Sequence, residues 1–480
     1  MEYQTQLLVV MITYTVLLIL YGLYQGRKVK SEADYAIAGR KLPGWAAALS
    51  ERATGESSWA LLGLPGAAYA TGLTEIWTAL GCVLGIITAW VAISWRLREE
   101  AEKYNVNTFT EYIARKHGDV NKWIRIAGSS TIVFFFFFYV GAQFLGGGKT
   151  LHTMFDLDQN LGMFFVALVI VPYTIYGGFR SVVYTDVVQA IIMIITLVVG
   201  PIVGVIYLMN QPDLFANSIG EALTLAGPTH STLTGGASGF AAGIVIAGGF
   251  SWFFGYLGGQ PQLSMRFMAI EDAKQAKQAR NIGVVWTVIA YNGALCLGWI
   301  GLAIFGPSGL KDAEYVMPAV ILELFPPAIA ALLITGAIAA MTSTANSLLI
   351  LSSTELSENI INPLMDLDKK KALARSRWIT AILALIALGL AYISPSKVIF
   401  TLVSYVWAGI GGTFSIVILL SLFWKKYHGK AALATIVVGL TFTIIWISTG
   451  MDKVITARIL TFFVAGLTAI VSTYAFKGSK

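Results

Sequence analysis

Charge is scarce in this chain: Asp, Glu, Lys and Arg make up 12% of its 480 residues, about half of the ~25% usual in soluble domains. So few polar groups cannot cover the surface of soluble domains, which excludes a string of them. Only two cysteines occur, Cys82 and Cys296, each inside an apolar stretch. They offer no disulfide framework and read as small packing residues. The four histidines, His117, His152, His230 and His428, fall in expected loops far from one another, so no transition-metal cluster is expected. The nearest approach to a phosphate loop is Gly146-Gly147-Gly148-Lys149-Thr150 at the outer end of a span, where Gln143 takes the place of the first glycine. Without a nucleotide motif, a catalytic cluster or an organic-cofactor motif, an enzyme fits poorly. Active transport would have to run on an ion gradient.

What the chain does contain is apolar length. Hydrophobic residues make up 56%, the mean hydropathy is +0.71, and the apolar blocks are long enough to cross a ~30 Å hydrocarbon core. About thirteen spans are expected, near 6–25, 44–72, 75–95, 124–148, 160–177, 182–208, 236–257, 281–306, 327–353, 378–394, 398–423, 430–449 and 456–476. This predicts an all-α membrane protein, one transporter domain over 1–480. The first span lacks a basic leader and a cleavage site and reads as a retained helix. The segment 109–117 is amphipathic and is expected along the cytoplasmic face, and 209–235 reads as an external loop.

The net charge of +7 is a topology signal, not a nucleic-acid footprint. Alternate connections hold 27 of the 33 Lys and Arg residues, including the runs Lys369–Arg377 and Lys477–Lys480. The opposite side holds Lys149, Lys311, Lys397, Lys453 and Arg458, and Arg52 lies within a span. The rich side is cytoplasmic by the positive-inside rule, which places the N-terminus outside and the C-terminus inside. A multi-pass protein of the plasma membrane follows, in a bacterial or archaeal inner membrane, with no obligatory protein partner evident.

Two spans have polar, broken centres. The second reads Ala53-Thr54-Gly55-Glu56-Ser57-Ser58-Trp59, and the seventh runs from Gly248 through Trp252 and Tyr256 to Gln260-Pro261. They lie five spans apart, so they cross in opposite senses. This predicts a 5+5 inverted repeat of helices 2–6 and 7–11: an extra helix and loop over 1–43, repeats over 44–208 and 236–423, and two further helices over 424–480. Broken helices expose backbone at the midplane, where ions and solute bind.

Intramembrane charge costs about 2.5–3.5 kcal/mol per residue on insertion scales, so Glu51, Arg52, Glu56 and Asp186 stand out. Arg52 and Glu56, four apart, would stack on one helix face, as an inert buried pair or as a gate or cation site. Asp186 opens the sixth span and reads as a cation exit ligand or a helix N-cap. Ser343 and Thr344, in the hydroxyl-rich run Ala340–Ser347, offer hydroxyls to a hard alkali cation beside carbonyls of an unwound 53–56 segment. Bonding back to their own helix is the plainer alternative. Phe134–Phe138 reads as packing. Trp59, Tyr139, Trp252 and Tyr256 could wall a pocket for a small, partly apolar solute.

These motifs resemble those of the sodium:solute symporter family, and within it the bacterial sodium/proline symporters. The resemblance rests on Asp34-Tyr35 with Ala38-Gly39-Arg40, Ser57-Ser58-Trp59 running into Leu62–Gly66, Tyr176–Ser181 with Thr185-Asp186 and Gln189, Gln260-Pro261 with Arg266–Ala269, Ser343-Thr344, and Ser404–Gly409. It implies a LeuT-like core, alternating access and sodium as the co-transported ion. By position it implies a sodium site from the carbonyls of Ala53, Glu56 and Ala340 with the hydroxyls of Ser343 and Thr344, and a sodium-linked Asp186. It implies a solute pocket from Ser57, Trp59, Tyr139, Trp252, Tyr256 and Pro261. The chain departs from the pattern at Gly55, where proline symporters carry an aspartate, and the carboxylate here is Glu56. Glu51-Arg52, Ser58 and Gly258-Gly259 depart as well. The expectation is a sodium-coupled importer of proline or a related amino acid. Proton coupling, another solute, or a transporter-like sensor are the alternatives, and the short Lys477–Lys480 tail argues against the last.

Overall fold

Backbone in hydrocarbon must satisfy its own hydrogen bonds, which leaves helices as the economical solution for apolar segments this long. The computed structural model describes residues 2–118, 120–365, 371–394 and 396–476, and no multi-residue strand occurs among them. Among the described residues, ten helices are long and apolar enough to cross a membrane. The run Gly44–Lys103 contains two of the expected spans, parted at Gly72 (φ 64°). The expected spans 160–177 and 182–208 join as Gln159–Asn210, divided at Gly178 (φ 60°). Lys369, Lys370, Lys477 and Lys480 of the expected topology lie outside the described residues.

Burial sorts these helices. The most apolar window of the helix Pro327–Ile361 is 78% buried, whereas that of the first helix is 17% buried. The hydroxyl-rich helix Pro327–Leu356 therefore lies at the centre, packed on Gln159–Asn210, on Asn121–Phe155 and on Gly44–Ser58. The first helix, Glu2–Gly26, lies outside it.

Two helices break where the sequence is polar. The first runs Gly44–Ser58, passes through a π-helical turn, Trp59–Gly63, and continues as Leu64–Thr71. The second runs Gly239–Phe250 and Trp252–Gly255, opens, and resumes as Pro261–Ala269. Gly258 turns the open stretch at φ 81°, a conformation that suits glycine. Proline at the start of the next helix forgoes an N–H that would have had no partner. The start of the first broken helix and the end of the second are tied together: the amide of Leu42 donates to the carbonyl of Ala269 (3.1 Å), and the amide of Glu271 to that of Leu42 (2.9 Å).

Some expectations change. The amphipathic segment is a helix, Phe109–His117, capped by Thr108. Its first six residues are buried, and Phe109 meets Phe414 edge-on. Protein, not lipid headgroups, covers its apolar face. Segment 209–235 contains two short helices, Ile219–Leu225 and Pro228–Ser231. The helix expected to stop at 148 continues to Phe155, because Gly146, Gly147 and Gly148 serve close packing: a Cβ on each would press on Ser58, Val166 and Gln159 respectively.

Candidate functional site

The first break is a single residue. Ser57 has φ 48° and ψ −159°, so the unwound point lies just after 53–56 and not within it. Its freed polar groups find side-chain partners, as burial in hydrocarbon requires. The Ser57 Oγ accepts from the amide of Trp59 (3.2 Å) and pairs with the Tyr139 hydroxyl (3.2 Å). The amide of Ser58 donates to Gln143 Oε1 (3.0 Å). Tyr139 and Gln143 are one turn apart on the helix Asn121–Phe155, so one helix face holds both sides of the break.

Around this point the aromatic residues of both broken helices converge. Trp59 stacks on Trp252 with centroids 4.0 Å apart. Trp407 stands 5.7 Å from Trp252, 5.7 Å from Tyr139 and 5.2 Å from Tyr256. The Tyr256 hydroxyl meets that of Tyr291 at 2.8 Å, and the Trp59 indole reaches Tyr291 as well. All six of these residues are buried, so the cage is closed to solvent. It forms because the backbones come close: a Cβ on Gly255 would overlap the Trp407 ring. Pro261 is buried and opens the helix beyond the second break.

Below the cage lie two charge clusters. Asp186 accepts from Ser343 and from Ser50, from Arg266 Nη2 (3.0 Å) and from Thr54 (3.3 Å). Arg266 also donates to Ser50 (2.8 Å), Thr54 (2.7 Å), Ser347 (2.6 Å) and the carbonyl of Gln262 (2.7 Å). Four helices are clasped by this pair. Asp186 is therefore no N-cap: it lies inside the helix Gln159–Asn210, beyond its division at Gly178, fully buried. Ser343 and Thr344 do not bond back to their own helix either. Ser343 donates to Asp186, and Thr344 donates to the carbonyl of Thr54 (3.0 Å). Ala53 and Ala340 are buried on these facing helices.

The second cluster corrects an expected pairing. Arg52 bonds both oxygens of Glu51, not Glu56, and also Thr287 (3.1 Å). Glu51 receives the Trp90 indole as well (3.0 Å). The adjacent carboxylate takes the guanidinium, and no hydrogen bond or ion pair joins Arg52 to Glu56 among the described residues. Glu56 accepts from the Trp286 indole (2.6 Å) through one oxygen, and its other oxygen is buried with no hydrogen-bond partner.

A model of the sodium:solute symporter family matches residues 35–439. The chain belongs to that family. The symporter is 34% identical over 440 residues to the high-affinity proline transporter PutP of Bacillus subtilis (strain 168), covering 91% of each chain. It is 33% identical over 445 residues to the osmoregulated proline transporter OpuE of the same organism, covering 92% of this chain and 88% of that one. It is also 33% identical over 451 residues to sodium/proline symporter 2 of Staphylococcus saprophyticus, covering 92% and 86%. Among solved structures, a Na+-coupled sialic acid symporter in a substrate-bound outward-open state aligns with a TM-score of 0.81 at 18% identity over 99% of both chains. A nucleobase-cation-symport-1 family transporter aligns with a TM-score of 0.56 at 13% identity, over 94% of this chain and 97% of that one. These structural likenesses carry the LeuT-like fold, and family membership places the chain among transporters rather than enzymes.

The structure brings together Ser57, Trp59, Tyr139, Trp252 and Tyr256 in the symporter's cage, and Ser343, Thr344 and Asp186 below it. Sequence reasoning gave no role to Trp407, Tyr291, Gln143 or Arg266. The histidines are mostly helical, not in loops: His117 and His152 lie in last turns, His230 in a short helix, and His428 caps Gly429–Ser448. No metal-binding group of three forms among the described residues. Burial and the neighbouring Lys116 and His428 push His117 down to about 4, so this imidazole is neutral at physiological pH.

Proposed function

We propose that this symporter imports a small organic solute with sodium by alternating access, with proline or a related amino acid as the first candidate. The observation that carries the reading is the Ser57 break, lying between a closed aromatic cage and the hydroxyls of Ser343 and Thr344. Sodium would bind the carbonyls of Ala53, Glu56 and Ala340 with those hydroxyls, joining the first broken helix to the hydroxyl-rich one. Asp186 lies next to Ser343 and would receive the ion on its way out. Trp59, Tyr139, Trp252 and Tyr256 would hold the solute's apolar body, with Ser57 and Pro261 beside the two breaks. The relatives named as proline transporters support the choice of solute.

The same reading puts repeats at 44–208 and 236–423, the N-terminus outside, the C-terminus inside, and the protein in a bacterial inner membrane. Uptake is driven by the sodium gradient and by the potential, about 2.3 kcal/mol per charge per 100 mV. The test is uptake into proteoliposomes from a panel of labelled amino acids and organic acids, with and without an imposed sodium gradient. Proline uptake that depends on sodium, and that Ser343→Ala with Thr344→Ala abolishes, is the expected result. Uptake indifferent to that double substitution removes the ion site.

One observation favours a second reading, proton coupling: the partnerless buried oxygen of Glu56. Uptake under a pH gradient in sodium-free vesicles separates the two.

A further inference from the structure

Among the described residues five Lys and Arg side chains are buried: Arg52, Arg98, Lys149, Arg266 and Arg458. Four of them hold a carboxylate. Arg52 pairs with Glu51, Arg98 with Glu102, Lys149 with both Asp312 and Glu314, and Arg266 with Asp186. Arg458 is the exception, with no carboxylate at ion-pair distance among the described residues. It is the second residue of the last helix, Ala457–Ala475, and 8% exposed. Its electrostatic neighbours are Asp452, which accepts from the amide of Ala457 (2.7 Å), and the buried Glu75, which bonds the hydroxyl of Thr71 (3.2 Å) through one oxygen and has no hydrogen-bond partner for the other among the described residues.

The partners of Arg458 are all neutral: Ser251 Oγ (3.0 Å), Ser404 Oγ and the carbonyl of Gly248 (3.0 Å). A guanidinium carries five N–H groups in a planar fork. Three are thus directed at oxygens, which leaves one N–H on each terminal nitrogen to offer to an anion. The guanidinium also lies over the Trp252 ring, 4.6 Å from its centre. Trp252 is the ring that stacks on Trp59 in the cage. A buried cation whose hydrogen-bond partners are all neutral can still take an anion directly, and this one is a single ring away from where the solute is proposed to bind.

We propose that Arg458 recognises the carboxylate of the solute as it enters the cage from the sparsely basic side, so that the last helix, outside the two repeats, selects for carboxylate-bearing substrates. Ser251 and Ser404 hold the guanidinium in place, one at the end of the first half of a broken helix and the other just before Trp407. The assignment rests on the amino-acid reading above and adds which part of the solute is read, and by which residue.

The test uses the full-length symporter in proteoliposomes under a sodium gradient. L-proline and L-prolinamide, which keeps the ring and lacks the charged carboxylate, compete against labelled proline. The wild type is expected to prefer proline strongly. Arg458→Gln is expected to raise the KM for proline about tenfold, with Vmax close to wild type, and to reduce the preference for acid over amide by a similar factor. Arg458→Lys keeps the charge but not the fork and should fall between. Equilibrium binding of labelled proline to the same variants in detergent gives a readout that does not depend on transport. A wild type that imports proline while R458Q and R458K both keep the wild-type acid-to-amide preference overturns the role of Arg458 alone. A wild type that imports only solutes without a carboxylate overturns the amino-acid reading, and Arg458's role with it.

Discussion

The helix Gly44–Ser58 carries two buried charge clusters on opposite sides. Through Ser50 and Thr54 it joins Asp186 and Arg266, where one carboxylate meets one guanidinium and both carboxylate oxygens have donors. Through Glu51, Arg52 and Glu56 it faces Trp90, Trp286 and Thr287, where two carboxyl groups accompany one guanidinium, which bonds Glu51, and one oxygen of Glu56 has no donor among the described residues. A balanced, fully bonded pair in low dielectric is costly to separate. It is suited to holding helices together, as a gate does while shut. A cluster with a surplus carboxyl is suited to the opposite task, accepting positive charge. The two sides of one helix thus divide holding from coupling.

The largest expected effect comes from breaking the balanced cluster. Arg266→Gln leaves Asp186 buried without its cation and should cost about 3–5 kcal/mol. A large drop in the melting temperature of the detergent-solubilised protein and loss of uptake are expected. Adding Asp186→Asn to it removes the stranded charge and should recover much of the stability without restoring coupling. If R266Q melts like the wild type, the clasp holds nothing.

The unbalanced cluster should respond differently. Glu56→Gln keeps the shape and removes the surplus charge, so stability should hold or rise. The apparent sodium affinity should fall by about tenfold, near 1.4 kcal/mol. Sodium activation curves of uptake measure this. An unchanged curve would assign Glu56 to protons or to structure, and the contrast between the clusters would lose its functional half.

This division was only half legible in the sequence. Asp186, Glu51, Arg52 and Glu56 stood out because charge within an apolar run is expensive. Arg266 did not, because it follows the second break in a short polar helix, Pro261–Ala269, that hydropathy assigns to the cytoplasm and the fold buries at every position. The cage was legible where aromatics adjoin a break, as at Trp59, Trp252 and Tyr256. Trp407 sits in the unbroken apolar segment 398–423, and its approach depends on Gly255, whose role appears only once the facing helix is known. The Arg52–Glu56 pairing failed for a related reason: helical spacing brings groups within reach, but competition among neighbours, here Glu51 and Trp286, decides which bond forms.

Trp286→Phe is the mildest substitution and separates the two states of Glu56. Among the described residues the indole is the one side-chain hydrogen-bond donor at Glu56, at 2.6 Å. If the carboxylate is ionised, removing that donor strands a buried charge and should cost about 1–3 kcal/mol, visible in the melt. Uptake under sodium should be weakened as well, because a displaced Glu56 disturbs the segment beside Ser57. If Glu56 instead carries a proton, the group is neutral and needs the indole far less, so W286F should melt close to wild type. Pairing the substitution with E56Q completes a double-mutant cycle, in which a coupling near zero would count against an ionised Glu56 and against the surplus charge on which the comparison of the two clusters rests.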